Sequence, residues 1–495
     1  MSATDAVLGV DVGTTAVKAA VVAADGRVLG TGSAEYPTHY PRPGWVEQDP
    51  EDWWRAACGA IQAALADGGR RDMAAVCVSA QAPTLLPLDS RGRPLRRALI
   101  WMDRRAEAEA ERLRGTLGEE LVRRVTGNRI DPYYVAPKLL WFREHEPELH
   151  ARARAYVQAT GYVVHRLTGE LTLDREHASL LSLRDLERET WSERLCEAVG
   201  VTPELFPRLV SGHEIAGHVT DDAATGTGLP AGTPVTGGTV DGPAAALEAG
   251  VIDEGQAAEM TGTSTVLILP SARPRSEPAL VAMRHAAPGR WLLLGAMVAS
   301  GGSLRWLRDL LGEQSFDSLT AEAEAEPAGT NGLVFLPYMM GERSPIWDSD
   351  ARGVFVGLSL ASGRGSLVRA VLEGAAFAVR HNVEVAAAAG IQIGDLRSVG
   401  GGARSRLWSQ IKADVVGVPV LLPETSIGAP FGDAALAVVA AGLHPDVRGL
   451  VQRVRVRERF EPRPEAARRY DELYGVYRRV YEALRGEFRA LAATR

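Results

Sequence analysis

The sequence predicts an α/β fold made of two related halves, and three observations carry that prediction. Strand-like apolar runs open the chain and helical patterns follow them. A β-rich stretch with a glycine-threonine turn occurs near the start, at Asp11-Val12-Gly13-Thr14-Thr15, and again past the middle, at Thr261-Gly262-Thr263-Ser264-Thr265. Between them lies a Gly-, Thr- and Asp-rich stretch, Ser211 to Gly238, whose composition suits the approach to a domain boundary. The repetition is of architecture and not of letters. It sets one domain over 1–245 and a second over 246–495.

The elements follow in order. Ala6 to Val10 and Val17 to Ala23 flank the first turn, with the turn signal Asp25-Gly26 behind them, so the turn joins the strands of a hairpin. Gly44 to Pro50 leads into a helix with Asp49 as its cap, Pro50 in the first turn and Glu51 and Asp52 after it. Trp53, Ala57, Ile61 and Leu65 recur at helical spacing as its buried face. Ala74 to Ser79 and Leu85 to Leu88 read as short strands, the second followed by the turn Asp89-Ser90-Arg91-Gly92, and Arg104 to Thr168 reads as mainly helical.

The β pattern resumes at Gln256, with Val266 to Leu269 as the strand after the second turn. Strands at Leu333 to Leu336 and Gly353 to Leu358 bracket the loop Pro337 to Ser344, and a helix runs from about Leu367 to Ala389. Ser398 to Ala403 holds the triplet Gly400-Gly401-Gly402. Tyr470, Leu473, Tyr474, Tyr477, Tyr481, Leu484, Phe488 and Leu491 step by three and four, which predicts an amphipathic helix over Pro464 to Ala490.

Composition narrows the function classes. With 495 residues the chain is long enough for several structural units and a large interior. A formal charge of −7 argues against nucleic acid as a partner. No apolar stretch reaches ~18 residues and no basic segment precedes an apolar core at the start, so neither a membrane partner nor a signal peptide is expected, and the expected location is cytoplasmic. Cys58, Cys77 and Cys196 fit neither a disulfide framework nor a zinc site. Lysine occurs only at positions 18, 138 and 412, so nearly all positive charge is arginine.

The two turns also carry chemistry. Glycine lets the backbone approach an anion closely, and successive N–H groups in a turn form an anion nest. Taken singly, each turn is equally an ordinary tight hairpin. No Gly-x-x-x-x-Gly-Lys-Ser/Thr occurs, so a nucleotide would be held by some other device than a P-loop. A cleft between two related domains, each giving a phosphate-facing turn, is such a device. Between the turns lies Gly237-Gly238-Thr239-Val240-Asp241-Gly242, which sets an acid just past a strand end; taken alone, Asp241 also suits a turn-forming role.

These segments resemble the FGGY carbohydrate kinases, most closely their pentulose (xylulose) kinase branch, over nearly the whole chain. The resemblance rests on Gly9 to Thr15, Pro43 to Trp54, Leu99 to Arg104, Ala136 to Glu146, Gly237 to Asp241, Thr261 to Ser264, Phe335 to Ser344, Gly353 to Leu358, Arg369 to Gly374 and Gly400 to Arg404, in family order. It implies two ribonuclease-H-like (actin-like ATPase) domains with an active-site cleft between them, binding ATP, Mg²⁺ and a sugar or polyol, and it leaves room for a homodimer. It makes Asp241 the catalytic base and Asp11 the Mg²⁺ residue, acting through water. It sets Gly13, Thr14 and Thr15 on one side of the phosphates and Gly262, Thr263 and Ser264 on the other, with Gly301 and Gly302 beside them and Gly401, Gly402 and Ala403 at the adenosine. Gln81, Ala82, Trp101, Asp103, Asp241 and Gly242 fall on the substrate side.

The sugar side departs from the family pattern. A Gln-Met-His tract is replaced by Gln81-Ala82-Pro83, and the Asn that often follows the catalytic Asp is Gly242. A pocket that loses polar partners for a polyol changes its selectivity by orders of magnitude. Two smaller departures, Val135 and Ser366, fall in the signatures away from the chemistry. The leading expectation is an ATP-dependent kinase of a ketose or of a polyol such as a tetritol, pentitol or glycerol. The competing classes are an actin-like or chaperone-like ATPase, which Asp241 and the lack of an appended peptide-binding domain argue against, and a catalytically weak sugar-binding descendant, which intact Asp11, Asp241 and both turns argue against.

Overall fold

In the computed structural model, which describes residues 5–312 and 315–494, the first sheet opens as a meander of β1 (Ala6–Val12), β2 (Ala16–Ala23) and β3 (Val28–Glu35). β1 and β2 pair antiparallel with Asp11 opposite Lys18, so the first glycine-threonine turn is the hairpin connection the sequence predicts. Helix α1 (Pro50–Asp67) starts where Asp49 accepts the Glu51 N–H, and Trp53, Ala57, Ile61 and Leu65 are buried under β2 and β3. β4 (Val76–Ala80) then pairs parallel with β1. Five helices occupy the stretch from Arg104 to Thr168, among them α2 (Val135–His145), together with the short strand Ala155–Val157. After α3 (Arg175–Ser179) come β5 (Ile215–His218), β6 (Pro234–Thr236) and β7 (Thr239–Val240), and then α4 (Asp241–Glu248).

The first sheet runs β5-β6-β4-β1-β2-β3, with β7 also on β4. The Gly-, Thr- and Asp-rich stretch therefore supplies β5 and β6 of this sheet shortly before the chain passes to the second half. Its composition serves tight connections: Gly228 (φ 78°) closes the helix Asp221–Thr227, and Gly232 (φ 85°) turns the chain into β6.

The second sheet repeats the plan with β8 (Gly255–Thr261), β9 (Thr265–Ser271), β10 (Val281–Arg284), β11 (Trp291–Met297), β12 (Ile393–Val399), β13 (Val420–Pro423) and β14 (Val456–Phe460), in the order β10-β11-β9-β8-β12-β13-β14. β8 has an antiparallel hairpin partner, β9, on one side and a parallel strand, β12, on the other, as β1 has β2 and β4. The helices of this half include α5 (Ser300–Leu310), α6 (Arg364–Ala388), α7 (Arg406–Val416), α8 (Ala429–Ala440) and α9 (Pro464–Ala492). Along α9, Tyr470, Leu473, Tyr474, Tyr477, Tyr481 and Phe488 are buried, whereas Leu491 is 53% exposed where the helix outruns its support.

Two helices cross between the sheets. α4 lays Ala245 and Ala246 on Ala258 and Ile268 of the second sheet, while α8 lays Ala434 and Leu436 on Val7, Ala20 and Cys77 of the first. The crossing needs bare backbone. A β-carbon on Gly432 would lie 1.9 Å from the Ala244 carbonyl oxygen, and one on Gly9 1.9 Å from the Pro430 carbonyl oxygen. A second tie joins the halves elsewhere: the buried Asn128 amide donates to the Ala282 carbonyl and accepts the Ala282 N–H, both at 2.8 Å.

Two of the three lysines are interior. Lys412 pairs with Glu259 at 2.8 Å in the second half. Lys138 on α2 donates to the carbonyls of Pro132 and Tyr133, each at 2.7 Å, and burial pushes its pKa down to about 7. Lys18 alone is exposed.

Candidate active site

The first turn is held from three directions. Gly13 N–H donates back to the Ala16 carbonyl at 3.1 Å, and the Tyr36 hydroxyl donates to the Gly13 carbonyl. Gln48 Nε2 donates to the Thr14 carbonyl at 2.7 Å, and Trp101 Nε1 donates to Thr14 Oγ1 at 3.2 Å. Two of these bonds use the turn's carbonyls, one its Gly13 N–H and one the Thr14 hydroxyl, and Thr15 is exposed.

The second turn gathers the other residues the sequence assigned to the nucleotide. Gly262 N–H donates to the Ser264 carbonyl, and Gly302 N–H, in the first turn of α5, donates to the Thr263 carbonyl, both at 2.9 Å. A β-carbon on Gly301 would lie 2.1 Å from the Gly262 carbonyl oxygen, and one on Gly402 2.7 Å from the Thr261 side chain. Ala403 is buried beside Gly402. The turn, the start of α5 and the glycine triplet thus meet at Thr261, and Gly262 and Gly401 remain exposed. Behind them, Thr261 Oγ1 hydrogen-bonds Glu259, whose other oxygen takes Lys412 Nζ at 2.8 Å and Ser398 Oγ at 2.7 Å.

Acids converge where α4 and α8 cross. Asp241, directly after β7, opens α4, and its Oδ1 accepts the Gly242 N–H at 2.7 Å. Burial raises its pKa to about 6, opposed by that hydrogen bond and by the charges of His177 and Arg343. Asp11, 9% exposed at the end of β1, is raised to about 7 by burial and then by Asp241. Its Oδ1 is buried with no hydrogen-bond partner. Asp433 on α8 accepts the Ser79 hydroxyl at 2.8 Å and is held well above the usual carboxylate range by burial and by Asp11. Glu248 takes the N–H groups of Ile427 and Gly428 at 2.7 Å, and burial pushes its pKa to about 7.

Among the residues that the resemblance sets on the substrate side, Gln81 is buried, donates to Gln48 Oε1 at 2.6 Å and keeps an unpartnered Oε1. The Ala82 carbonyl accepts the Tyr133 hydroxyl at 3.1 Å. Arg343, from the loop between the second-half strands, lies 4.5 Å from the Trp101 ring centre and 5.4 Å from that of Tyr133. A β-carbon on Gly242 would meet nothing nearer than Leu294 Cδ1 at 3.8 Å, so the glycine leaves room where a side chain would fit. Asp103 differs from its neighbours. Fully buried, it pairs with Arg105 at 2.8 Å and accepts the Val46 N–H at 2.6 Å, so its carboxylate is spent on neighbours within the fold.

Five residues of this constellation escaped the sequence reading: Asp433, Glu248, Arg343, Tyr133 and His177. Arg343 lies inside a segment matched to the family, Phe335 to Ser344, and Tyr133 shortly before another, Ala136 to Glu146, so both lay within reach. Asp433 sits in an alanine-rich helix with no local mark of function.

The lineage follows from comparison with known proteins. The sequence profile of the N-terminal domain of the FGGY family of carbohydrate kinases matches residues 6–248, and that of the C-terminal domain matches residues 257–441. The chain belongs to the FGGY family of carbohydrate kinases. It is therefore an ATP-dependent carbohydrate kinase with the two-domain, ribonuclease-H-like (actin-like) α/β architecture, and its substrates are ATP and a sugar. It is similar to the xylulose kinase of Escherichia coli (strain K12), 32% identical over 96% of this chain and 99% of that one. The crystal structure of xylulose kinase from Rhodospirillum rubrum superposes with a TM-score of 0.87 at 34% identity, covering 98% of this kinase and 100% of that chain. The glycerol kinase of Alkalilimnicola ehrlichii is 33% identical over 89% of this kinase and 91% of its own length. Among the described residues, no helix is long and apolar enough to cross a membrane.

Proposed function

We propose that this kinase phosphorylates a hydroxyl of a small ketose, xylulose or another pentulose, with Asp241 as the general base. The observation that carries the reading is Asp241 itself, at the start of α4 beside the first turn's Asp11, with a pKa of about 6. Such a carboxylate is ionised at neutral pH yet basic enough to take a proton in the transition state. The sugar hydroxyl gives its proton to Asp241, its oxygen attacks the terminal phosphorus, the bond to the bridging oxygen breaks and ADP leaves.

The remaining roles are part of the same proposal. Gly13, Thr14 and Thr15 face the phosphates from one side, and Gly262, Thr263 and Ser264 with Gly301 and Gly302 from the other; Gly401, Gly402 and Ala403 flank the adenosine. Gln81, Ala82, Trp101 and Gly242 line the sugar, and Asp103 steadies that wall through Arg105. Asp11 would hold Mg²⁺ through water. The fit is chemical: a hard cation seeks oxygen, and Asp11 offers a buried oxygen that no hydrogen bond occupies. When bound, the ion neutralises phosphate charge. The division near residue 245 falls within α4, which makes that helix the connection between the domains. The three free cysteines support a cytoplasmic setting.

A polyol is the second reading. Ala82, Pro83 and the space beside Gly242 favour it, as does the likeness to a glycerol kinase at 33% identity, close to the 32% of the xylulose kinase. ADP release measured over D- and L-pentuloses, tetritols, pentitols and glycerol separates the two. Asp241→Asn should cut sugar phosphorylation by about 10² to 10⁴ or more while ATP binding persists. Unchanged sugar-dependent ADP release in that variant would remove Asp241 from the chemistry.

A further inference from the structure

His177 is buried and unused by the reaction as described. It lies on α3, which begins where Asp174 Oδ1 accepts the His177 N–H at 2.8 Å. The Nδ1 faces Asp174 Oδ2 at 2.7 Å, and Nε2 faces the Gln81 carbonyl at 3.5 Å. Both neighbours only accept. A neutral imidazole has one N–H and one lone pair, so one nitrogen would point its lone pair at an oxygen; an imidazolium donates on both sides. We propose that His177 is a positioning residue of the sugar side, a doubly protonated imidazole that ties Asp174 to the Gln81 carbonyl and sets a fixed positive charge beside Asp241.

The surrounding charges agree with this. Arg284 on β10 and Arg175 on α3 are both taken up by Glu189, at 2.8 and 3.2 Å, and Arg208 pairs with Glu214 at 2.8 Å. Glu176 is held above the usual carboxylate range by burial and then by Asp174. Asp174 and Asp241 are the carboxyl groups that face the ring, and Arg343 is the other charged group acting on Asp241. The Gln81 backbone carries the chain from β4 into the sugar wall, and its N–H is fixed to the Val12 carbonyl at 2.9 Å. A donor on its carbonyl fixes the other face of the same peptide run, one residue from Ala82.

The inference rests on the reading of Asp241 as the base only for its kinetic part, and the test separates the two. With the full-length kinase labelled with ¹⁵N-histidine, the signal lost in His177→Gln should report two protonated ring nitrogens at neutral pH. Asp174→Asn, which keeps a capping oxygen for α3, should return that signal to the one-proton pattern. A one-proton pattern in the unmodified kinase overturns the proposal. In the pH profile of kcat/KM for the sugar, His177→Gln should move the acid limb up by about one unit or more, because an opposite charge nearby is lost. A lower rate with an unmoved limb overturns the charge role and leaves only packing. Should Asp241→Asn keep its activity, the base assignment falls while the nitrogen signals still decide the state of His177.

Discussion

The backbones of Gly432 and Ala244 meet so closely that a β-carbon on the glycine would stand 1.9 Å from the alanine's carbonyl oxygen. That contact is the crossing of α8 over α4. Asp241 opens one of these helices and Asp433 lies on the other, one residue past Gly432, so the spacing of the acids follows from the absence of one methyl group.

Gly432→Ala should therefore destabilise the kinase by about 3 kcal/mol or more, because backbone cannot yield as a side chain can. Gly486→Ala on exposed α9 has nothing within 4 Å to meet and should gain roughly 0.5–1 kcal/mol by helix propensity. Thermal unfolding of both variants checks the pair. Equal Tm shifts would mean that the crossing is not as tight as the geometry has it.

Proton linkage gives a second outcome. Asp11, Asp241 and Glu248 have folded pKa values of about 7, 6 and 7, above the unbound values of 3.8, 3.8 and 4.5. Folded protein then holds more protons than unfolded protein in that window, so the contribution of these groups is full below about pH 4 and is lost as pH rises through 6 to 7. In a chelator, Tm should fall over this range by more than in Asp11→Asn, and Mg²⁺ should restore part of it at the upper end. Parallel Tm curves for the two proteins would show that Asp11 does not bear the cost.

The third concerns Lys412. Replacing it by Met strands Glu259 in the interior and should cost about 3–5 kcal/mol. Because Glu259 hydrogen-bonds Thr261 under the second turn, the KM for ATP should rise while that for the sugar stays near its starting value. A Tm within a degree of the parent would contradict this.

The elements that local chemistry determines were legible in the sequence. Asp49 and Pro50 mark a helix start wherever they occur, and the apolar flanks of Gly13 and of Gly262 specify hairpins without reference to the rest of the chain. The helix and strand within the Gly- and Thr-rich run before β6 were not legible, because glycines that end helices and turn strands, as Gly228 and Gly232 do, mask the elements beside them. Asp433 and Glu248 were out of reach because their surroundings come from distant segments: Glu248 takes the N–H groups of Ile427 and Gly428, 179 and 180 residues on, and Asp433 the hydroxyl of Ser79, 354 residues back. Asp103 shows the opposite limit, since a motif names a residue without saying that Arg105 has claimed its carboxylate.

The scarcity and burial of lysine also determine how the kinase can be handled. With Lys138 and Lys412 at 0% and 1% exposure, an amine-directed dye or resin finds one side chain, Lys18, besides the terminal amine. Lys18 stands opposite Asp11 across the β1–β2 register. Acylation there would take a positive charge from beside the first turn, so on the proposed reading routine labelling of this kinase amounts to a modification of the nucleotide side of its site.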